Sequence, residues 1–390
     1  MIKKKLVTIK SDLFILLLMF SIFRCYLVPD LLYELLQAVS IIIVFVFVLC
    51  KIPKSRWLNS AIIYPMCVLA SGLYNLFTST YYGGGEFRQA LIFSLCIYEL
   101  FLLSDLYSLK EKKSDFIECM YMITLIFSAI TLIFAIYLGE IENSNVNAYP
   151  FGNKFSSSYL FIQLYCLYYS RNEKKKNKVV FYFLMMTAIW FSVYVSCSTA
   201  TIVSIVAFIL SLLPKKIKSI LMNPKVVVLS LVLSGAAALI MASILQIDVI
   251  NKLVFTYFNK SITVTGRLVI YDNYIFNLIS KKPLLGYGYY NYAMMVISNG
   301  IFANAQNGLL QIVLENGFIG AAVVCFLTLY FLRDYKNNCD LERFSLFILL
   351  YAMIVAGLFE ISIGWCYYIA LACLRMGPVR NSNKLSIKKR

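Results

Sequence analysis

Long apolar segments separated by short basic clusters are the feature that most constrains the fold of this chain. A membrane span needs about 20 mostly apolar residues, and such segments recur along the sequence with lysines and arginines between them. Hydrophobic residues make up 61% of the chain and charged residues only 14%, whereas a soluble domain is about a quarter charged. Because lipid must solvate that much apolar surface, the pattern predicts an all-α polytopic membrane protein.

We predict about twelve transmembrane helices, with a range of eleven to thirteen. Their boundaries are 12–29, 31–50, 58–79, 87–107, 116–138, 155–170, 179–196, 198–213, 226–246, 306–332, 344–360 and 362–376. If the N-terminus is cytoplasmic, 28 of the 36 lysines and arginines fall in cytoplasmic segments, as the positive-inside rule requires. The sequence therefore predicts that both termini are cytoplasmic.

The chain divides into four parts on this reading. Residues 1–246 carry nine spans, 247–305 form a large external loop, 306–376 carry the last three spans, and 377–390 are a basic cytoplasmic tail. External loops are otherwise short, and a loop of this length is usually functional or disordered. Its many Tyr, Ile and Leu residues predict that it is folded.

The composition also excludes several classes of function. The net charge of +17 comes from scattered clusters, which cannot form the continuous basic face of a nucleic-acid-binding protein. Histidine is absent and no CxxC pair exists, so the sequence indicates neither a metal site nor a cofactor.

The external loop contains a predicted amphipathic helix over residues 266–282, whose apolar stripe is formed by Leu268, Tyr271, Ile275 and Leu278. Thr265 is its expected N-cap and Pro283 its stop signal. Arg267 then lies in the first turn, where a cation is unfavourable near the positive end of the helix dipole. A bound anion would offset that cost, and a solvated arginine is the alternative interpretation.

A turn rich in glycine and tyrosine follows this helix, from Gly286 to Tyr292. Its glycines permit positive φ, and the rings of Tyr287 and Tyr289 could stack on a sugar. An aromatic belt at the membrane interface explains such tyrosines equally well.

A polar stripe opens the tenth predicted span. Asn307, Gln311 and Glu315 are spaced i, i+4, i+8 and therefore share one helix face. A carboxylate at membrane depth is costly unless it faces protein or a water-filled cavity, so the stripe is a candidate functional site. A hydrogen-bond ladder between packed helices is the structural alternative.

Three cations are predicted to lie outside the membrane near these features, namely Arg88, Lys154 and Arg267. Together they could clamp a diphosphate, to which arginine offers bidentate geometry. Each one alone could instead be an interface anchor. Arg24, at the outer end of the first span, has Glu34 as a candidate partner.

These residues together resemble the O-antigen polymerase and ligase family of bacterial polysaccharide assembly, most closely its capsule and exopolysaccharide repeat-unit polymerases. The resemblance is carried by Thr265-Gly266-Arg267, the run Lys282–Gly288, Gln306-Asn307, Leu310-Gln311 and the run Glu315–Gly320, with weaker echoes at Arg88, Phe151–Lys154 and Ser196–Ala200.

The resemblance implies a metal-independent glycosyltransferase of the bacterial cell membrane. Such an enzyme moves a growing glycan from undecaprenyl diphosphate to the non-reducing end of a lipid-linked repeat unit at the external face. Arg88, Lys154 and Arg267 would bind the diphosphate, Tyr287 and Tyr289 the sugars. Catalytic roles would fall to Arg267 and to the residues of the tenth span, Gln306, Asn307 and Glu315. A flippase and a chain-length regulator are the implied partners, besides the lipid bilayer.

One position departs from the family pattern. Many members, the ligases especially, carry histidine where this chain has Gln306, and glutamine cannot accept a proton near neutral pH. If the acceptor must be deprotonated, Glu315 or another carboxylate would have to act as base. Otherwise the bond to the leaving diphosphate breaks early enough that no strong base is required. A ligase of the same family and a flippase or other transporter of lipid-linked oligosaccharide remain the alternatives.

Overall fold

The computed structural model describes residues 2–143, 146–171, 177–245, 270–335 and 343–377, and these ranges are almost entirely helical. The helices are α1 Ile2–Ile22, α2 Asp30–Lys51, α3 Ile63–Thr78, α4 Gly84–Leu109, α5 Lys113–Tyr137, α6 Lys154–Tyr169, α7 Lys178–Tyr194, α8 Ser198–Leu212, α9 Lys215–Leu221, α10 Pro224–Leu245, α11 Phe276–Lys281, α12 Ala293–Ile297, α13 Gly308–Leu332, α14 Phe344–Ala356 and α15 Trp365–Arg375. The predicted helical class is confirmed.

Five helical segments of the described chain are long and apolar enough to cross a membrane. They are Asp30–Lys51, Ser60–Thr78, Gly84–Leu109, Lys113–Tyr137 and Gly308–Tyr335. A sixth is formed if α9 and the first part of α10, which meet at an angle of 69°, count as one span. Four further apolar helices are shorter than a span requires. The protein is thus a multi-pass membrane protein, and the count of about twelve spans stays a prediction.

One end of the helix bundle is formed by connecting segments that contact each other, and we call it the loop face. Backbone hydrogen bonds join Tyr26 N–H to Pro150 O (2.9 Å) and Gly308 N–H to Gly357 O (2.8 Å). A third runs from Tyr292 N–H to Tyr81 O (3.3 Å). These bonds fix the connections before α2, α4, α6, α13 and α15 relative to one another.

A three-stranded antiparallel sheet on the loop face was not predicted from the sequence. Its strands are β1 Ile141–Asn143, β2 Val146–Tyr149 and β3 Gly152–Asn153, in the order β1-β2-β3. The Asn153 side chain then caps α6 by accepting hydrogen bonds from the N–H groups of Phe155 (3.1 Å) and Ser156 (2.9 Å). The sheet therefore sets where Lys154, the first residue of α6, enters the loop face.

The predicted loop helix is present in the described part, as a π-helical turn over Ile270–Ile275 that continues into α11. Tyr271, Ile275 and Leu278 of the predicted apolar stripe are buried. They pack against α13 and the tyrosine turn in a separate small core. Residues 246–269, and with them Thr265, Gly266 and Arg267, lie outside the described residues.

Helix α4 is the most buried of the five span-length segments and packs against α1, α2, α3, α5 and α15. At the end opposite the loop face, Arg375 of α15 donates two hydrogen bonds of 2.9 Å to the Asp105 carboxylate of α4. This largely buried ion pair anchors the last helix to the central one.

Candidate functional site

Helix α13 is broken at Gly317, about 14 Å along the helix axis from its first residue. Gly317 has φ 66° and ψ −172°, a backbone conformation that is essentially restricted to glycine. A break of this kind releases backbone carbonyl and N–H groups that an intact helix would pair internally. In a membrane protein those groups need partners within the protein.

The turn after α11 supplies these partners, and we call this contact the junction. Phe318 N–H donates to Pro283 O (2.8 Å) and Ile319 N–H donates to Leu284 O (3.3 Å). On the other side of the break, Leu314 O accepts from Tyr287 N–H and Glu315 O accepts from Gly288 N–H, both at 2.8 Å. Four backbone hydrogen bonds thus fix the loop in the break.

Close backbone approach explains the glycines of the junction. A Cβ atom added at Gly286, which has φ 63°, would lie 2.5 Å from Leu314 O. One added at Gly317 would overlap the Leu284 carbonyl. The positive φ expected for the Gly286–Gly288 turn is confirmed, because Gly286 lies against the broken helix and Gly288 lies against the ring of Tyr82.

Polar side chains of α3 hold the same loop from the other side. Ser71 Oγ lies 2.5 Å from Leu285 O and 2.9 Å from Glu315 O, so one hydroxyl joins the loop to α13. Asn75 Nδ2 donates to Gly286 O (3.0 Å), and its Oδ1 accepts from Lys282 Nζ (2.6 Å). Burial lowers the pKa of the Lys282 ammonium.

We expect Ser71→Ala to destabilise the junction by about 1–3 kcal/mol, because two buried carbonyls lose their shared donor. The measurement is the Tm of the detergent-solubilised protein. Thr78→Ala is the matched control, since Thr78 lies on the same helix and its hydroxyl also donates to a carbonyl, Tyr74 O (2.7 Å), but at an exposed position. Equal Tm values for the two variants would contradict the role of Ser71.

The predicted polar stripe is buried inside the protein. Gln311 Nε2 donates to Glu315 Oε1 (2.9 Å), and Gln311 Oε1 accepts from Ala305 N–H (2.9 Å). The Tyr290 N–H also donates to Glu315 Oε1, at 3.4 Å. Glu315 thereby connects the stripe to the tyrosine turn.

Asn307 and Gln306 mark the start of α13. Asn307 is fully buried, caps the helix by accepting from Leu310 N–H (3.0 Å), and donates to Ser234 O of α10 (3.0 Å). Gln306 has φ 47°, a left-handed conformation that is uncommon outside glycine. Such backbone strain persists only where the surroundings enforce it, often at functional sites.

The tyrosines of the turn occupy different environments. Tyr287 is 3% exposed and its hydroxyl donates to Leu278 O (3.1 Å), so in this structure it is a packing residue of the loop. Tyr289 stacks on Phe93 of α4 with 4.2 Å between ring centroids. Tyr290, which the sequence analysis did not select, is 65% exposed.

A cavity of about 520 Å³ opens on the loop face, and we call it the main cavity. That volume lies in the usual range for small-molecule sites. Its polar and aromatic lining comprises Phe23, Arg24, Tyr26, Phe151, Asn153, Phe155, Ser156, Tyr159, Tyr290, Asn304, Glu360, Ser362 and Trp365. The wall thus combines hydrogen-bonding groups with flat rings, which suits a polar ligand with apolar faces.

A smaller groove of about 160 Å³ adjoins the main cavity, and both are lined by Arg24 and Trp365. Its polar lining includes Glu34, Gln37 and Gln89, and its aromatic lining includes Tyr289. Arg24 therefore lies where the two spaces meet.

Arg24 and Arg88 of the loop face are paired with carboxylates, though not as expected. Arg88 makes a bidentate pair with Glu34, at 2.8 and 2.9 Å. Arg24 pairs with Asp30 at 2.5 Å, so the expected Arg24–Glu34 pair does not form. All four side chains are between 44% and 71% exposed, and a diphosphate could compete for either guanidinium.

None of the described residues that the sequence predicted for the site lines the main cavity, although Tyr289 lines the smaller groove. Gln306, Glu315 and Lys154 do not line the main cavity, but their neighbours Asn304, Tyr290 and Asn153 do. Arg24 and Glu360 line the cavity but were not predicted as site residues. The sequence features that could have indicated them are a charged residue at the outer end of a span, for Arg24, and a carboxylate in a short external loop, for Glu360. In the part of the chain that the structure describes, no cluster of His, Cys, Asp or Glu could hold a metal ion.

These features define a multi-pass membrane protein with a polar, aromatic cavity at one end of its bundle. Residues 181–325 match the Wzy_C family model, which is described as O-antigen ligase. This segment contains the junction and the polar stripe, and the match supports the resemblance to the O-antigen polymerase and ligase family. Its members are glycan-handling membrane enzymes. No curated protein and no solved structure matches the chain significantly.

Proposed function

We propose that the protein is a polysaccharide repeat-unit polymerase of the bacterial cell membrane. It transfers a growing glycan from undecaprenyl diphosphate to the non-reducing end of a fresh lipid-linked repeat unit. The observation that carries the proposal is the main cavity, which is lined by Arg24 and by two aromatic side chains, Tyr290 and Trp365. It is supported by the family match over the adjoining junction.

The proposal includes the topology. The loop face is external, about twelve spans cross the membrane, and both termini are cytoplasmic, as the placement of basic residues favours. The lipid diphosphate then reaches the main cavity from the outer leaflet, where its charged group and its polyprenyl chain meet protein and lipid respectively.

The diphosphate would be bound by arginines and Lys154. Arg24 joins Arg88 and Arg267 as a proposed diphosphate ligand, because it lines both the main cavity and the smaller groove. Guanidinium groups stabilise the departing diphosphate by oriented charge and bidentate hydrogen bonds. Burial raises the pKa of the Cys197 thiol, while the Lys154 charge lowers it.

The sugars would stack on aromatic rings and bond to amides. Tyr289 and Tyr290 offer rings on the two spaces, while Tyr287 supports the turn that carries them. Gln306, Asn307 and Glu315 hold the start of α13 against that turn and thereby position Asn304 and Tyr290 beside the acceptor.

A ligase is the second candidate, favoured because the matching family model is that of O-antigen ligases. Purified protein supplied with a lipid-diphosphate-linked repeat unit and no nucleotide sugar separates the candidates. A ladder of products supports the polymerase, and transfer of glycan to a different acceptor supports the ligase. Movement of the substrate across the bilayer without chemistry would indicate a transporter and contradict both.

Arg267→Ala should abolish long chains in this assay while membrane insertion is retained, because a diphosphate ligand would be lost. The measurement is the product ladder on a gel, beside the amount of protein in the membrane fraction. Wild-type chain length in the variant would remove Arg267 from the proposed site.

A further inference from the structure

The connection between α14 and α15 brings a carboxylate to the main cavity. Glu360 lines the cavity together with Ser362 and Trp365 from the same connection. It is the one acidic side chain among the described residues that line this space, and Arg24 is the one cation. Neither residue was selected as part of the site from the sequence.

Backbone and side-chain hydrogen bonds hold this connection in place. Glu360 N–H donates to Ala356 O (2.9 Å), which fixes it at the end of α14. Ser362 Oγ donates to Met353 O (2.6 Å). Gly308 N–H donates to Gly357 O (2.8 Å), which ties the connection to the start of α13. The carboxylate is therefore carried by a fixed segment, as a catalytic group requires.

The surroundings of Glu360 identify which part of the cavity it faces. Its charge acts on the Tyr159 phenol and on the Cys197 thiol. Tyr159 also lines the main cavity, and its buried hydroxyl has no hydrogen-bond partner among the residues that the structure describes. Glu360 thus lies on the α6 side of the cavity, where Asn153 and Ser156 supply further hydrogen-bonding groups.

Glycosyl transfer requires that the acceptor hydroxyl lose its proton. The chain contains no histidine, and the amide of Gln306 cannot accept a proton near neutral pH. Glu315 is buried, bonded to Gln311 and to the Tyr290 amide, and does not line the cavity. Among the described residues, Glu360 is the carboxylate that lies on the wall of the main cavity, where a ligand can touch it.

We propose that Glu360 is the general base of the transfer, an inference that rests on the proposed function. Its carboxylate accepts the proton of the acceptor hydroxyl while the hydroxyl oxygen forms a bond to the anomeric carbon of the donor glycan. The bond from that carbon to the diphosphate oxygen breaks, and its electron pair leaves with the diphosphate. Arg24, on the same cavity, stabilises the departing charge.

Glu360→Gln in the full-length protein tests the proposal, because glutamine keeps the size of the side chain and loses the proton acceptor. The substrate is the lipid-linked repeat unit extracted from cells that make the polymer. We expect turnover to fall by about 10²–10⁴-fold, the usual contribution of a general base, while donor binding stays within a factor of about two.

Chemical rescue separates a base from a structural carboxylate. Glu360→Ala should regain activity as formate is added, because a small carboxylate can occupy the vacated space, and formate should not accelerate the wild-type protein. Glu140→Gln is the matched control. Glu140 lies beside the sheet on the same face, accepts a hydrogen bond from the Tyr149 hydroxyl (3.0 Å) and does not line the cavity, so its turnover should be unchanged.

Three outcomes would overturn the proposal. Wild-type turnover in Glu360→Gln would show that no base acts at this position. A loss of donor binding equal to the loss of turnover, without rescue by formate, would make Glu360 a binding or structural residue. An absence of any transfer by the wild-type protein would overturn the proposed function and the base together, which distinguishes that failure from the first two.

Discussion

Gly317→Ala should prevent the protein from accumulating in a folded state. The substitution places a Cβ atom on the Leu284 carbonyl and forces alanine into a backbone conformation that only glycine adopts readily. Either α13 straightens or the loop withdraws, and both changes remove the four backbone hydrogen bonds of the junction. We expect a loss of more than about 4 kcal/mol, the range reserved for substitutions with a specific severe mechanism.

Two other glycines of the described chain distinguish the two causes of the expected loss, steric overlap and backbone strain. Gly300 has φ 82° and nothing within 4 Å of an added Cβ, so Gly300→Ala tests backbone strain alone. Gly85 has neither a positive φ nor a close neighbour, and Gly85→Ala should be neutral. Fluorescence-detected size-exclusion chromatography measures folded protein for all three. Equal yields for the Gly317 and Gly85 variants would contradict the account of the junction.

Arg24→Ala should lower the rate of glycan transfer by about 10²–10³-fold, the usual cost of removing one oriented donor from a developing anion. Arg24 lies where the main cavity and the smaller groove meet. Arg24→Lys keeps the charge but loses the planar fork, so it should retain only part of the activity. The measurement is the initial rate of coupling between lipid-linked repeat units.

The salt bridge to Asp30 requires a control, because Arg24→Ala leaves an unpaired carboxylate near the site. The double variant Arg24→Ala with Asp30→Asn removes that carboxylate and should be as inactive as the single variant. Arg333→Ala is the matched surface control, since Arg333 is 61% exposed and lies at the other end of α13. Recovery of activity in the double variant would show that Asp30 repulsion, and not the loss of Arg24, caused the defect.

The sequence allowed the class of the fold to be predicted, because hydropathy and helix periodicity are local properties. The amphipathic character of the loop helix was visible in the spacing of Tyr271, Ile275 and Leu278, which are buried as expected. The glycines of the turn indicated positive φ for the same reason. The short strands β1–β3 were missed because two to four residues each give too little periodicity to read.

The detailed arrangement of the site depends on contacts between distant segments, which no local pattern contains. Glycine at 317 could not be recognised as a helix break, because isolated glycines are common in membrane helices. Glycine is required there because the backbone of Leu284, which belongs to another segment of the chain, lies against Gly317. The cavity wall likewise combines the ends of α1 and α14 with the start of α6, so Arg24 and Glu360 became visible as neighbours only in three dimensions.

The break in α13 also has a consequence for the order of membrane assembly. Until the preceding loop docks, a kink at Gly317 would leave four backbone groups unpaired in lipid, at a cost of several kcal/mol for each. They are the N–H groups of Phe318 and Ile319 and the carbonyls of Leu314 and Glu315. A continuous helix is then the form of lower free energy during insertion. We therefore expect the helix to enter the bilayer unbroken and to bend only when the Lys282–Gly288 turn docks, so that the last stage of tertiary folding completes the surroundings of the cavity.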